Sequence, residues 1–536
     1  MRILARRTPL LLAPLLLAIS GGCSDAGGGS PVQAEPTPSA ACHPAAVVDL
    51  APGQVLPLTA EQAECFRLAP HAGARYALAG FDARGVESAR SGPEQPLAGD
   101  PLYTLGDGSA PAAALAPAPA TPPGGASAVQ TDVTIRRSAT SEADPFRRAV
   151  PWREGDRFPV ARREGGGTAT ARVVRVFGGR YVFAVVDADA GSHAERFLDD
   201  TGEAMDFMLR EGIGVLSRVY GAAVPVTSEG SGQLLVLFAA WNPDHGAGGA
   251  TTWLPPEGDG IYSYLWLNLE VRPGVREHFG MFDFASYRLK VLAHELTHAW
   301  QMRWLHETRA AGARREAPCG PVWALEGSAD LVALDLVRRY LEIGLTSNWD
   351  WDAKLRTENR HVTFALEPAD TRGRLARGYF DASSFLRDLQ VRLARRGVPQ
   401  DDALAEVARG AVEGWHGFDA LGGRREGLKA RIGAVLGAGW DPADAVLLWT
   451  LAQALDDATE NPELDNPVYH RAGDPDARYS WKPAADEVRL GRSFTRPVQH
   501  AAGGSFYLQV EDEGAGGVLS ARSTLPGARW MIARSR

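Results

Sequence analysis

Residues 281 to 311 contain neither proline nor glycine, and large or apolar side chains recur at Tyr287, Val291, Leu292, Leu296, Ala299 and Trp300. Spacings of three and four mark one face of an α-helix, so this stretch must form a long one. Its middle reads HELTH. His294 and His298 then share a face with β-carbons about 5–6 Å apart, and each can bring an imidazole nitrogen to about 2.0–2.1 Å from a single zinc ion. Glu295, turned about 100° from His294, is poorly placed as a third ligand but near enough to take a proton from water on that ion.

Two histidines do not make a site. With 12 His in 536 residues, H-E-x-x-H arises by chance in about one to two per cent of chains of this composition. The metzincin pattern would need Gly at 301 and His at 304, where this chain has Gln301 and Trp304. His306 lies too far along, about 18 Å of helix rise beyond His294. The missing ligand comes from PVWALEGSADLVALDLV at 321–337, which begins a second amphipathic helix with Glu326 and Asp330 one turn apart on one face. Glu326 can complete a three-ligand site with one position open to water. Asp330 can accept the remaining ring N–H of a ligand histidine, His294, and fix its tautomer.

HELTH followed by W-x-x-E-G-x-A-D resembles the gluzincin type of zinc metallopeptidase, in particular peptidase MA-like and hyicolysin-like members. The match covers about 165 to 400, with its strong motifs at the two helices. The resemblance implies an α+β, zincin-like catalytic domain, with an antiparallel-rich sheet over the active-site helix and a helical subdomain beyond it. It also implies one zinc per chain and peptide-bond hydrolysis by zinc-activated water, with Glu295 as general base. By analogy with gluzincins that use a downstream Tyr, Tyr379 in ARGYFDASSFLRDL is the first candidate for an oxyanion donor, with Tyr340 and His361 behind it. In YSYLWLN, at 262–268, a cleft-edge strand is expected to align substrate backbone. An aminopeptidase-like hydrolase and a non-enzymatic surface binding module stand as alternatives. No G-x-M-x-N-like motif precedes the His helix, which favours an endopeptidase acting on peptides or proteins.

The N-terminus carries an export signal. Arg2, Arg6 and Arg7 precede the apolar run PLLLAPLLLAIS, which is too short to span a bilayer. Ser20, Gly21 and Gly22 before Cys23 resemble a bacterial lipobox, so Cys23 is the expected lipidation site and the lipid the only membrane contact. That implies an envelope lipoprotein, on the outer membrane or periplasmic side; ordinary cleavage would give a secreted product instead. Cys42 and Cys65 can pair in an oxidising compartment, and Cys319 reads as a small buried side chain. A net charge of −9, from 56 basic against 65 acidic residues, leaves no basic field for nucleic acid.

Composition shifts divide the chain into a signal peptide at 1–22, a tether at 23–41, an accessory β domain at 42–107 and a Pro/Ala linker at 108–128. The N-terminal catalytic subdomain with the HExxH helix follows at 129–320. A helical subdomain with the ExxxD helix occupies 321–457, and a C-terminal β segment 458–536. The accessory unit resembles the small β-sandwich modules of secreted bacterial peptidases. DDATENPELDNP at 456–467 is acidic but lacks EF-hand spacing, so no calcium is expected.

Overall fold

Gly178 and Gly179, both at positive φ (53° and 70°), turn TARVVRVF back onto RYVFAVV, and the resulting hairpin forms one side of the main sheet. The structure is a computed structural model. It describes residues 46–82, 102–107, 133–135, 146, 148–161, 168–187, 194–221, 224–240, 249–254, 262–269, 284–308, 322–342, 361–363, 377–414, 427–437, 439–455, 461, 464, 488–499, 504–523 and 528–535. The expected signal peptide, tether and linker, with Cys23, Cys42 and Cys319, lie outside the described residues.

In chain order the first strands are β1 (Ala46–Val48) and β2 (Val55–Leu58), followed by a short helix α1 (Ala60–Glu64), β3 (Phe66–Leu68), β4 (Arg75–Asp82) and β5 (Leu102–Gly106). Then come β6 (Val133–Ile135), β7 (Arg157–Ala161), β8 (Thr168–Phe177), β9 (Tyr181–Val186) and helix α2 (Ala194–Phe207). A π-helical turn (Met208–Gly212) joins α2 to α3 (Ile213–Tyr220), before β10 (Leu234–Ala239), β11 (Gly249–Leu254) and β12 (Tyr262–Asn268). The helical half contains α4 (Phe284–Glu307), α5 (Val322–Tyr340), a short β13 (His361–Thr363), α6 (Arg377–Arg395), α7 (Gln400–Val412), α8 (Gly427–Leu436) and α9 (Pro442–Leu455). Last are β14 (Val488–Arg489), β15 (Thr495–Gln499), β16 (Gly504–Glu511), β17 (Gly517–Ser523) and β18 (Ala528–Arg534). The class is mixed helix and sheet, as α+β predicts at that level.

The main sheet has seven strands in the order β6-β11-β12-β10-β9-β8-β7. Contrary to the antiparallel-rich expectation, it is mixed. β9 and β12 both run parallel to β10, and β6 runs parallel to β11. The reason is the α2–α3 crossover between β9 and β10, the kind of connection that parallel neighbours require. With Phe146 and Trp152 packed over one face and helices over the other, every residue of LLVLFA in β10 is buried. The expected substrate strand YSYLWLN is β12, and it is interior: β10 takes one edge and β11 the other. Its backbone is therefore committed within the sheet, and β11 reaches α4 through Thr251 and Glu295.

α4 is apolar or buried around nearly its whole circumference, which is the pattern of a central helix. Leu289, Leu292, Leu296, Ala299 and Trp300 join the same core as Leu265, Leu267, Leu331 and Leu336. α2 and α3 are joined through the π turn between them. At that turn a β-carbon on Gly212 would stand 2.4 Å from the Met208 sulfur.

The accessory domain and the C-terminal segment are not separate units. Their strands alternate within two sheets, β1-β3-β17-β5-β15 and β13-β16-β4-β18-β2, with β14 also paired to β16. Each segment alone offers short strands of marginal stability; paired, they close a sandwich. Phe66, Tyr76, Leu78, Phe506, Leu508 and Trp530 fill it. The outer face of the six-stranded sheet, through Ala77, Ala79, Phe81 and Met531, joins the helical core. There Thr450 of α9 is 2.7 Å from Ser505, and Gln509 donates to the Ala454 carbonyl at 3.1 Å. Cys65 caps α1 and is disulfide-bonded, with its partner outside the described residues. No helix among the described residues is long and apolar enough to cross a membrane.

Candidate metal centre

α4 and α5 pack directly on each other, and small residues allow the close approach of their neighbours. A β-carbon on Gly327 would stand 2.6 Å from that of Ala382 on α6, so the glycine after Glu326 lets α6 press against α5. This packing brings His294 and His298 on α4 against Glu326 on α5.

Three donor atoms converge. The Nε2 atoms of His294 and His298 are 3.0 Å apart, and Glu326 Oε2 lies 3.2 Å from the first and 3.3 Å from the second. Donors 2.0–2.1 Å from a tetrahedral ion stand about 3.3 Å apart, so the triangle has the size that such an ion needs. The other ring nitrogens establish which atoms carry lone pairs. His294 Nδ1 donates to Asp330 Oδ1 at 2.7 Å, and His298 Nδ1 donates to Gln301 Oε1 at 2.8 Å. A neutral imidazole has one N–H, so in the neutral form both Nε2 atoms would turn lone pairs toward the carboxylate. A cation shared among the three donors, a proton or a metal ion, would satisfy them in this buried place.

The surroundings favour positive charge. His294, His298, Glu326 and Asp330 are all buried. Burial opposes an imidazolium at His294, but the Asp330 charge and hydrogen bond, with Glu326 behind them, hold its pKa up at about 10. Burial likewise opposes ionisation of Glu326, but the charge of His298 and the hydrogen bonds of both histidines bring it down to about 2. Asp330 is held well below the usual carboxylate range. There too burial is outweighed, by Lys290, whose Nζ is 2.7 Å from Oδ1, and by His294. A metal competes for the same lone pairs as a proton and uses the same field.

Glu295 reaches β11. Its Oε2 accepts from the Thr251 hydroxyl at 2.8 Å, and the same hydroxyl is 2.9 Å from the Glu295 backbone carbonyl oxygen. A β-carbon on Gly249 would stand 2.6 Å from Oε1.

Of the sequence candidates, the structure brings together His294, His298, Glu326 and Asp330, with Glu295 on the same helix. Tyr340 is a packing residue. It lies fourteen positions beyond Glu326, about 21 Å of helix rise, with its ring edge-on to Phe207 at 5.4 Å between centroids. His361 sits in β13, on the edge of the sandwich sheet opposite Phe506. Tyr379 is in the first turn of α6, and its side chain lies outside the described residues. Gln301, Lys290, Thr251 and Gly249 were not anticipated. Helical spacing could have found two of them: Gln301 is three positions after His298, and Lys290 four before His294. The strand residues carry no such signal.

No protein-family model matches the sequence, and no curated protein matches it either. The functional reading rests on the site itself.

Proposed function

We propose that this chain is a zinc-dependent metallopeptidase of gluzincin type, an endopeptidase exported and tethered to the cell envelope by a lipid on Cys23. The observation that carries the reading is the convergence of His294 Nε2, His298 Nε2 and Glu326 Oε2, with a buried carboxylate on the residue after His294. Two imidazoles and one carboxylate are a donor set suited to zinc.

Zinc held by His294, His298 and Glu326 would supply a Lewis acid for the scissile carbonyl and lower the pKa of a bound water toward about 7. Glu295 takes the proton of the attacking water on its carboxylate and passes it to the leaving amine. Thr251 donates its hydroxyl hydrogen to Oε2 and so orients the carboxylate. Asp330 keeps the His294 ring in register, and Lys290 keeps Asp330 ionised. Burial raises the strength of each of these interactions.

The complete burial of all three donors also fits a structural metal that pins α4 to α5. Structural zinc normally has four protein ligands, whereas the described residues supply three, which favours the catalytic reading. Metal analysis of the purified soluble part, paired with casein hydrolysis by wild type and Glu295→Gln, separates the two. The peptidase reading expects stoichiometric zinc in both proteins and hydrolysis in the wild type alone. Zinc without hydrolysis in either would leave the structural site, and absence of zinc would remove both.

A further inference from the structure

The two histidines of the site are oriented by different chemistry. His294 gives its Nδ1 hydrogen to a carboxylate, while His298 gives its own to an amide three residues along the same helix. We propose that Gln301 is the positioning residue for His298, holding its ring and tautomer so that Nε2 presents a lone pair to the cation, and tying that ring to the backbone beside Glu326. The inference rests on the metal-site reading and extends it to a residue outside the donor triad.

An amide can sit either way round, and its surroundings decide which end faces where. Here they leave one solution. The Leu325 carbonyl oxygen, 3.0 Å from Nε2, can only accept. Ser328 Oγ, 2.9 Å from Nε2, has already given its hydrogen to the Ala324 carbonyl, so it too accepts. Both contacts demand the NH2 end of Gln301, and Tyr220 Oη lies 3.3 Å from the same nitrogen. The oxygen end therefore faces His298, where it can only accept. His298 must carry its hydrogen on Nδ1, and Nε2 is left bare.

Gln301 is fully buried where α3, α4 and α5 meet. Leu325 immediately precedes Glu326, so one side chain touches the second histidine at one end and the chain beside the carboxylate ligand at the other. An amide does this without adding a buried charge. Asp330 performs the matching task for His294 with a charge that Lys290 balances.

The test uses the full soluble chain and two variants, with zinc affinity from chelator competition and thermal stability of the zinc-loaded protein as readouts. Gln301→Met keeps the length and removes the acceptor; Gln301→Glu keeps the acceptor and removes the donated bonds. Gln301→Met is expected to lose about 10–100-fold in zinc affinity. Gln301→Glu is expected to stay within about threefold of wild type in affinity while melting at lower temperature, because Leu325 and Ser328 lose their donor. Should Gln301→Met not fold, Gln301→Asn, which withdraws the acceptor by one methylene, takes its place with the same expected loss. Wild-type affinity in Gln301→Met, or equal affinity losses in the Met and Glu variants, would overturn the proposal. A wild type that binds no zinc would instead overturn the metal-site reading, and this inference with it.

Discussion

Thr251 holds Glu295 at two points, its hydroxyl 2.8 Å from the carboxylate Oε2 and 2.9 Å from the backbone carbonyl oxygen of the same residue. Two positions earlier on β11, Gly249 leaves no space for a side chain, since a β-carbon would also stand 2.7 Å from Glu295 Cγ. The strand is a template for one glutamate rotamer. Gly249→Ala must drive Glu295 into another, and kcat for peptide hydrolysis is expected to fall about 100-fold or more with zinc stoichiometry unchanged. An unaltered kcat would show that β11 does not position the carboxylate.

Removing the metal should be visible as a loss of stability. Zinc at about 100 times its Kd stabilises the native state by roughly 2.7 kcal/mol, which for a chain of this size corresponds to a fall in Tm on chelation of roughly 2–3 °C. Glu295→Gln should show the same fall and Glu326→Ala none. The comparison is a pair of melting curves with and without chelator; identical wild-type curves would argue against a cation in the triangle.

A pH effect is expected at the junction of the sandwich and the helices. Asp441 accepts from the Ala443 N–H at 2.9 Å as the N-cap of α9, with Pro442 at the first helical position, and it pairs with Lys429 and Arg529. Burial raises its pKa, but that N–H and the two cations outweigh burial and hold it below 3.8. A depressed carboxylate contributes stability while ionised, so the contribution is complete above about pH 5 and is lost as pH falls through the folded value. Asp441→Ala should cost about 1 kcal/mol at pH 7, with the gap to wild type narrowing toward pH 2 in denaturant titrations. A gap independent of pH would assign the effect to something other than charge.

Gly80 lies under two aromatic rings. A β-carbon there would stand 2.6 Å from Phe506 and 2.8 Å from Trp530, whose rings pack edge-on at 5.8 Å between centroids. Gly80→Ala is therefore expected to destabilise by about 1–3 kcal/mol through overpacking, read as a lower urea midpoint at unchanged slope. Zinc binding should be untouched.

The site was legible in the sequence to the extent that helical spacing carries it. His294, His298, Glu326 and Asp330 each sit at three- or four-residue intervals on a regular helix, so their faces could be read from the chain alone. What escaped depends on non-local pairing. Whether β12 lies at an edge or in the interior depends on where β11 returns, and period-2 alternation is the same in both cases. The parallel core of the main sheet depended on reading α2 and α3 as a crossover. The sandwich was invisible for a similar reason: short strands at 42–107 and 458–536 show their own pattern but not their partners.

The braided sandwich has a consequence for the order in which the molecule assembles. His71 bonds to Asp512 across a separation of 441 residues, and β4 finds both of its neighbours, β16 and β18, at the far end of the chain. Contacts so distant in sequence close slowly, whereas the helices around the metal triangle meet through much nearer ones. The sandwich is thus the last part to become native, and β4 waits through synthesis with both hydrogen-bonding edges bare. In pulse-labelled hydrogen exchange the amides of α4 and α5 should gain protection before those of β4.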